Sequence, residues 1–114
     1  MNRRAGLALG WAWVAAVVFL SLTPAPPKVD LEGGDKLGHF LAYGVMAYWF
    51  CQFYSGRTRV LYLIAFVALG VAIEFAQRAT GYRSFELADM AANTVGVAAG
   101  WAAAALLPLR RLKA

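Results

Sequence analysis

The feature that most constrains this chain is a run of apolar residues from Ala5 to Leu22, broken only by Ser21. A helix of that length spans about 27 Å, close to the hydrocarbon thickness of a bilayer. Three more runs follow: Leu37 to Tyr54, Val60 to Ile73, and Phe85 to about Leu107. His39 and Gln52 interrupt the second. The third continues helically through Glu74 to Arg78, and the fourth carries Asp89 and Asn93. In lipid every backbone polar group needs an internal partner, which helices and closed barrels alone supply, and continuous apolar runs of this length are helical.

Composition removes the alternatives. Hydrophobic residues make up 61% of the chain and charged residues 15%, against about 45–50% and about 25% in soluble domains. Mean hydropathy is +0.57. A disordered tail, a secreted disulfide scaffold and an ordinary cytosolic enzyme are thereby excluded. The one cysteine, Cys51, permits no intramolecular disulfide and no cysteine metal cluster, and it reads as a small buried hydrophobe. The reading is an all-α integral membrane bundle of four antiparallel, up-down transmembrane helices in one domain, 1–114, with spans at about 5–22, 36–54, 60–78 and 85–107. Asn2-Arg3-Arg4 ahead of the first run also fit a signal peptide. The length of the run and the prolines at 24, 26 and 27 favour a retained anchor.

Charge sets the expected orientation. Arg3, Arg4, Arg57, Arg59, Arg110, Arg111 and Lys113 fall at the two termini and in the turn at 55–59, with no acid among them. Lys28, Lys36, Arg78 and Arg83 share the other side with Asp30, Glu32, Asp35, Glu74, Glu86 and Asp89. The positive-inside rule predicts cytoplasmic N- and C-termini in a multi-pass protein of the bacterial inner membrane, with loops 23–35 and 79–88 outside. Basic ends facing an anionic leaflet account for the net charge of +5 without nucleic acid.

The polar residues gather at the outer ends of three runs. Asp35, His39 and Tyr43 are spaced i, i+4, i+8, and so share one face of the second helix. Glu74, Gln77 and Arg78 lie at the outer end of the third, and Asp89 and Asn93 are i, i+4 on the fourth. Ionisable groups at membrane depth turn away from lipid. The expectation is an outward-facing polar pocket whose binding residues are Asp35, Lys36, His39, Tyr43, Glu74, Gln77, Arg78, Arg83, Asp89 and Asn93. Plainer roles exist: Asp35 as an N-cap, Lys36, Arg78 and Arg83 as interfacial side chains, and Asp89 and Asn93 as interhelical contacts. Ser84 or Phe85, with Glu86 after it, is expected to start the fourth helix. Gly96 and Gly100, like Gly6 and Gly10, read as helix-packing positions. Trp11, Trp13, Trp49, Tyr54, Tyr62 and Tyr82 read as interface or core aromatics.

The pieces Asp35-Lys36-x-x-His39-Phe40-x-x-Tyr43, Glu74-x-x-Gln77-Arg78 and Arg83-(x)5-Asp89-x-x-x-Asn93-Thr94-x-Gly96 resemble the VanZ-like family of bacterial membrane proteins, over about residues 30–105. That family is linked to resistance to the glycopeptide teicoplanin. The resemblance implies a multi-span protein of the cell envelope with a polar site built from Asp35, His39, Glu74, Gln77, Arg83, Asp89 and Asn93.

Three functions follow. The first is binding of an anionic lipid or cell-wall precursor head group, with Lys36, Arg78 and Arg83 on phosphate. The second is a membrane enzyme in which His39, Glu74 and Asp89 perform acid–base chemistry. An HExxH motif, a nucleophile elbow, a P-loop and a second His are all missing. No metal and no cofactor are expected. The third is a structural subunit that packs as a homo-oligomer or against a partner membrane protein.

Overall fold

The computed structural model describes residues 2–23, 34–81 and 87–109, with the side chains of 34 and 35 outside that description. Among the described residues the chain is all-α: α1 (Arg3–Leu22), α2 (Gly34–Cys51), α3 (Gly56–Thr80) and α4 (Leu87–Leu106). Asn2 caps α1, its side chain accepting from the Ala5 N–H at 2.7 Å. Gly81, at φ 79°, ends α3 in the left-handed conformation that glycine adopts without a Cβ penalty. The helix starts expected at Ser84 or Phe85, together with Glu86, lie outside the described residues.

Two boundaries differ from expectation. α2 stops at Cys51, and Gln52–Phe53 turn the chain. The segment 55–59 is not a basic turn, because α3 begins at Gly56, whose φ of 58° reverses the backbone. Arg57 and Arg59 thus sit in the first helical turn, where the dipole disfavours cations. Arg59 reaches back to the end of α2 instead. Its Nη2 donates to the Cys51 carbonyl at 2.6 Å and its Nε to the Tyr54 carbonyl at 2.8 Å. Arg3 does the same from α1, donating to the Phe53 carbonyl at 2.8 Å with its guanidinium over the Tyr54 ring. Carbonyls that a helix end leaves unsatisfied are thereby paired.

The helices alternate in direction. Gly6, early in α1, lies against Phe53 just past the end of α2, and the Trp49 indole donates to the Gly6 carbonyl at 2.7 Å. At the other end of α1 the Ser21 carbonyl accepts from Gln77, late in α3, at 2.7 Å. α1 and α4 each pack on both α2 and α3, and α2 with α4 is the most extensive pairing. That pairing is close because its contact surface is glycine. A Cβ on Gly96 would collide with the Phe40 carbonyl oxygen, and one on Gly100 with that of Gly44. The core beside it is Tyr43, Met46, Ala47, Phe50, Phe66 and Val97. Phe50, Tyr54, Tyr62 and Phe66 form an aromatic ladder toward the basic end.

The burial pattern is inverted relative to a soluble domain. Glu74, Gln77, Asp89, Asn93, Gln52 and Ser21 are buried, while Phe19, Leu61, Ile64, Phe75, Trp101 and Leu106 are exposed. Large apolar side chains on the outside of a helical bundle mark a surface made for lipid or for a partner. Two helices, α1 and α3, are long and apolar enough to cross a membrane. α2 and α4 fall short by the same measure. α2 carries Asp35, Lys36 and His39 at its start, and α4 is built from Ala and Gly around Asp89 and Asn93, which lowers the hydropathy of both.

Candidate functional site

The end of the bundle opposite Arg3 and Arg59 holds the expected polar residues. Asp89, in the first turn of α4, is met by two side chains from α2. Lys36 Nζ lies 2.8 Å from its Oδ1, and His39 Nε2 lies 3.5 Å from its Oδ2. The spacing of Lys36 and His39, one helical turn apart, aims both at one carboxylate. This joins α2 to α4 just beyond the glycine contact, where the helices already run close. A charge buried to this degree is tolerated when so paired. Asp89 therefore acts as an interhelical clasp.

Deeper in, three helices converge. The place where a Cβ of Gly70 would stand is 3.0 Å from Asn93 Nδ2 and 3.4 Å from Tyr43 Cε2. Gly70 thus lets α3 approach both side chains, and Glu74 follows one turn later. Glu74 is 0% exposed, Tyr43 1%, Gln77 1% and Asn93 2%. Neither Tyr43 Oη nor Asn93 Oδ1 has a hydrogen-bond partner among the described residues.

Most of the expected site is therefore brought together: Lys36, His39 and Asp89 toward the surface, and Tyr43, Glu74 and Asn93 within. Gln77 is drawn to α1 by its bond to Ser21, and Arg78 is on the exposed side of α3. Arg83 and the Asp35 side chain lie outside the described residues. Tyr43, Glu74 and Asn93 are buried where Gly44, Gly70, Gly96 and Gly100 let the helices approach one another. A groove of about 490 Å³ between α3 and α4 is lined by Leu63, Ile64, Val67, Val97 and Trp101, and another of about 270 Å³ between α1 and α2 includes Trp13, Met46 and Trp49. Both are apolar. Among the described residues no group of three or more His, Cys, Asp and Glu could hold a metal ion.

Gly96 and Gly100 pack helices as read from the sequence, and Gly6 and Gly10 do so against Phe53, Trp49 and Phe50. The reading missed their counterparts Gly44 and Gly70. Gly44 lies four residues after Phe40 and Gly70 four before Glu74, on the faces already assigned to the site, and that spacing is a signal that would have found them. Gln52, read from the sequence only as an interruption, accepts from the Leu109 N–H at 2.7 Å and so ties the backbone just past α4 to the turn after α2.

A family model described as VanZ/LLP1 matches residues 6–108, nearly the whole chain. No curated protein and no solved structure matches it.

Proposed function

The chain belongs to the VanZ/LLP1 family, and from that premise we propose that it is a four-span protein of the bacterial cytoplasmic membrane that binds an anionic lipid or cell-wall precursor head group at the outer end of its bundle. The observation that carries the reading is the polar cluster itself. Three helices bring Tyr43, Glu74, Asp89 and Asn93 to one buried place at one end, behind Lys36 and His39. Ionisable groups buried at that depth cost folding free energy and are kept where they do a job. Lys36 is partly exposed at the rim of this cluster. With Arg78 and Arg83 it would meet a phosphate, while Glu74 and Asn93 would accept from sugar or amine groups.

The topology has both termini in the cytoplasm, from the basic residues at the Arg3 and Arg59 end and the acidic ones at the other. Binding of an envelope precursor would alter what the cell surface displays, and this is the route by which glycopeptide sensitivity, teicoplanin included, would change.

Native mass spectrometry of the gently solubilised wild type beside a Glu74→Gln, Arg83→Ala double variant tests the proposal. The wild type should carry a defined phosphate-bearing lipid that the variant loses. A wild type that carries none removes the head-group reading.

One observation favours a second reading, a membrane enzyme: the Asp89–His39 pair, in which a carboxylate orients an imidazole. Turnover of a bound lipid by the wild type and none by His39→Ala would establish it. The structural-subunit reading has less to draw on, since Gly6, Gly10, Gly96 and Gly100 are occupied by contacts within the chain.

A further inference from the structure

The two buried oxygens without a partner say more about the head group than its phosphate does. Tyr43 Oη and Asn93 Oδ1 come from α2 and α4, and both side chains stand against the same point on α3, at Gly70. Asn93 Oδ1 is an acceptor and the Tyr43 hydroxyl can accept as well as donate, and buried polar atoms left unpaired in a native fold call for a missing partner. One turn farther along α3 stands Glu74, fully buried, which brings a carboxylate to the same region. A carboxylate has about four lone-pair sites, so its other contacts do not prevent it from accepting once more.

Three oxygens of this kind complement one chemical group. A primary ammonium presents three N–H donors and a positive charge, and its tip is about the size of a water molecule. A phosphate could accept from the Tyr43 hydroxyl but has no donor for Asn93 Oδ1 and is repelled by the Glu74 carboxylate, and a quaternary ammonium has neither the donors nor the small size. We infer that the bound head group carries a primary amine beside its phosphate, and that Tyr43, Glu74 and Asn93 receive that amine. The phosphate then sits outward, toward Lys36, whose side chain is 32% exposed. The occupant is a membrane lipid of the aminoalkyl phosphate class. This inference rests on the head-group reading above and specifies its ligand.

The test uses the full chain, stripped of lipid in detergent and supplied in turn with phosphatidylethanolamine, phosphatidylcholine and phosphatidylglycerol of identical acyl chains. Retention is read by native mass spectrometry. Phosphatidylethanolamine should be retained at least about tenfold better than either competitor, and Tyr43→Phe and Asn93→Leu should bring the three lipids close to parity. Tyr43→Phe removes a single hydroxyl and carries the test if Asn93→Leu does not fold. Equal retention of phosphatidylglycerol and phosphatidylethanolamine by the wild type would overturn the amine and leave a phosphate site standing. A wild-type preference that survives both variants would overturn the assignment to these residues. Retention of none of the three would remove the inference together with the head-group reading beneath it.

Discussion

At the scale of single residues, the glycines make the sharpest predictions because their surroundings differ so much. Gly100 faces the backbone of α2, with the Gly44 carbonyl oxygen where a Cβ would stand and the Tyr48 nitrogen 2.9 Å away. Backbone cannot swing aside as a side chain can. Gly100→Ala should therefore cost about 1–3 kcal/mol, seen as a lower thermal midpoint in detergent. Gly38 lies in the same pairing of helices by sequence but has nothing within 4 Å of its would-be Cβ. Gly38→Ala should leave the midpoint unchanged or raise it, since alanine favours the helix by about 1 kcal/mol. Asp89 is the other telling residue. Asp89→Ala leaves Lys36 and His39 facing each other without their shared carboxylate. With Lys36 partly exposed and solvent screening its charge, a loss of about 1–2 kcal/mol is expected. The same midpoint reads it, and an unchanged value would mean the clasp contributes nothing.

At the scale of elements, the end of α2 shows how the basic residues serve the fold as well as orientation. Arg57 and Arg59 are two positions apart in the first turn of α3 and are equivalent by any charge count. Arg59 holds the carbonyls of Cys51 and Tyr54, whereas Arg57 is exposed. Arg59→Ala should destabilise by about 1–3 kcal/mol through the freed carbonyls. Arg57→Ala should stay within about 0.5 kcal/mol. Amide hydrogen exchange over residues 50–56 checks this locally, with faster exchange in the first variant alone. The helical character of each run was legible because apolar length and the demands of the backbone in lipid leave little choice. The point at which α2 ends was not, because it depends on Arg3 and Arg59 arriving from two other helices.

At the scale of the whole molecule, the decisive property is that carboxylates and amides are buried beside the aromatic core while many large apolar side chains, such as Phe19, Leu61, Ile64 and Trp101, are exposed. Topology is tested there. Cysteines placed singly at Arg57 and Glu32 in a Cys51→Ala background should react differently with a membrane-impermeant maleimide in intact spheroplasts. Position 32 should label, and position 57 only after lysis. The reverse pattern would invert the orientation, and labelling at both in intact cells would deny that α2 crosses the membrane. The periodic polar faces of the second, third and fourth runs announced that a site would lie where they meet, and Lys36, His39, Asp89, Tyr43, Glu74 and Asn93 do meet. That Gln77 would leave the group for Ser21 of α1 was not legible, since nothing in the spacing of α3 says which neighbour its flank will touch.

The sequence by itself determined the helical class, the separation of a basic end from an acidic one, and which faces are polar. These follow from periodicity and from the free energy of moving single side chains out of water, and both are properties of local sequence. Tertiary structure alone decided how deeply the polar faces are buried, with Tyr43, Glu74 and Asn93 almost wholly enclosed. It also decided that Asp89 is shared by Lys36 and His39, and that Tyr43 and Asn93 are left with oxygens to satisfy. Those outcomes depend on how near the helices come. That distance is set at Gly44, Gly70, Gly96 and Gly100, where the absence of one carbon on one helix has meaning only against the backbone or side chain of another.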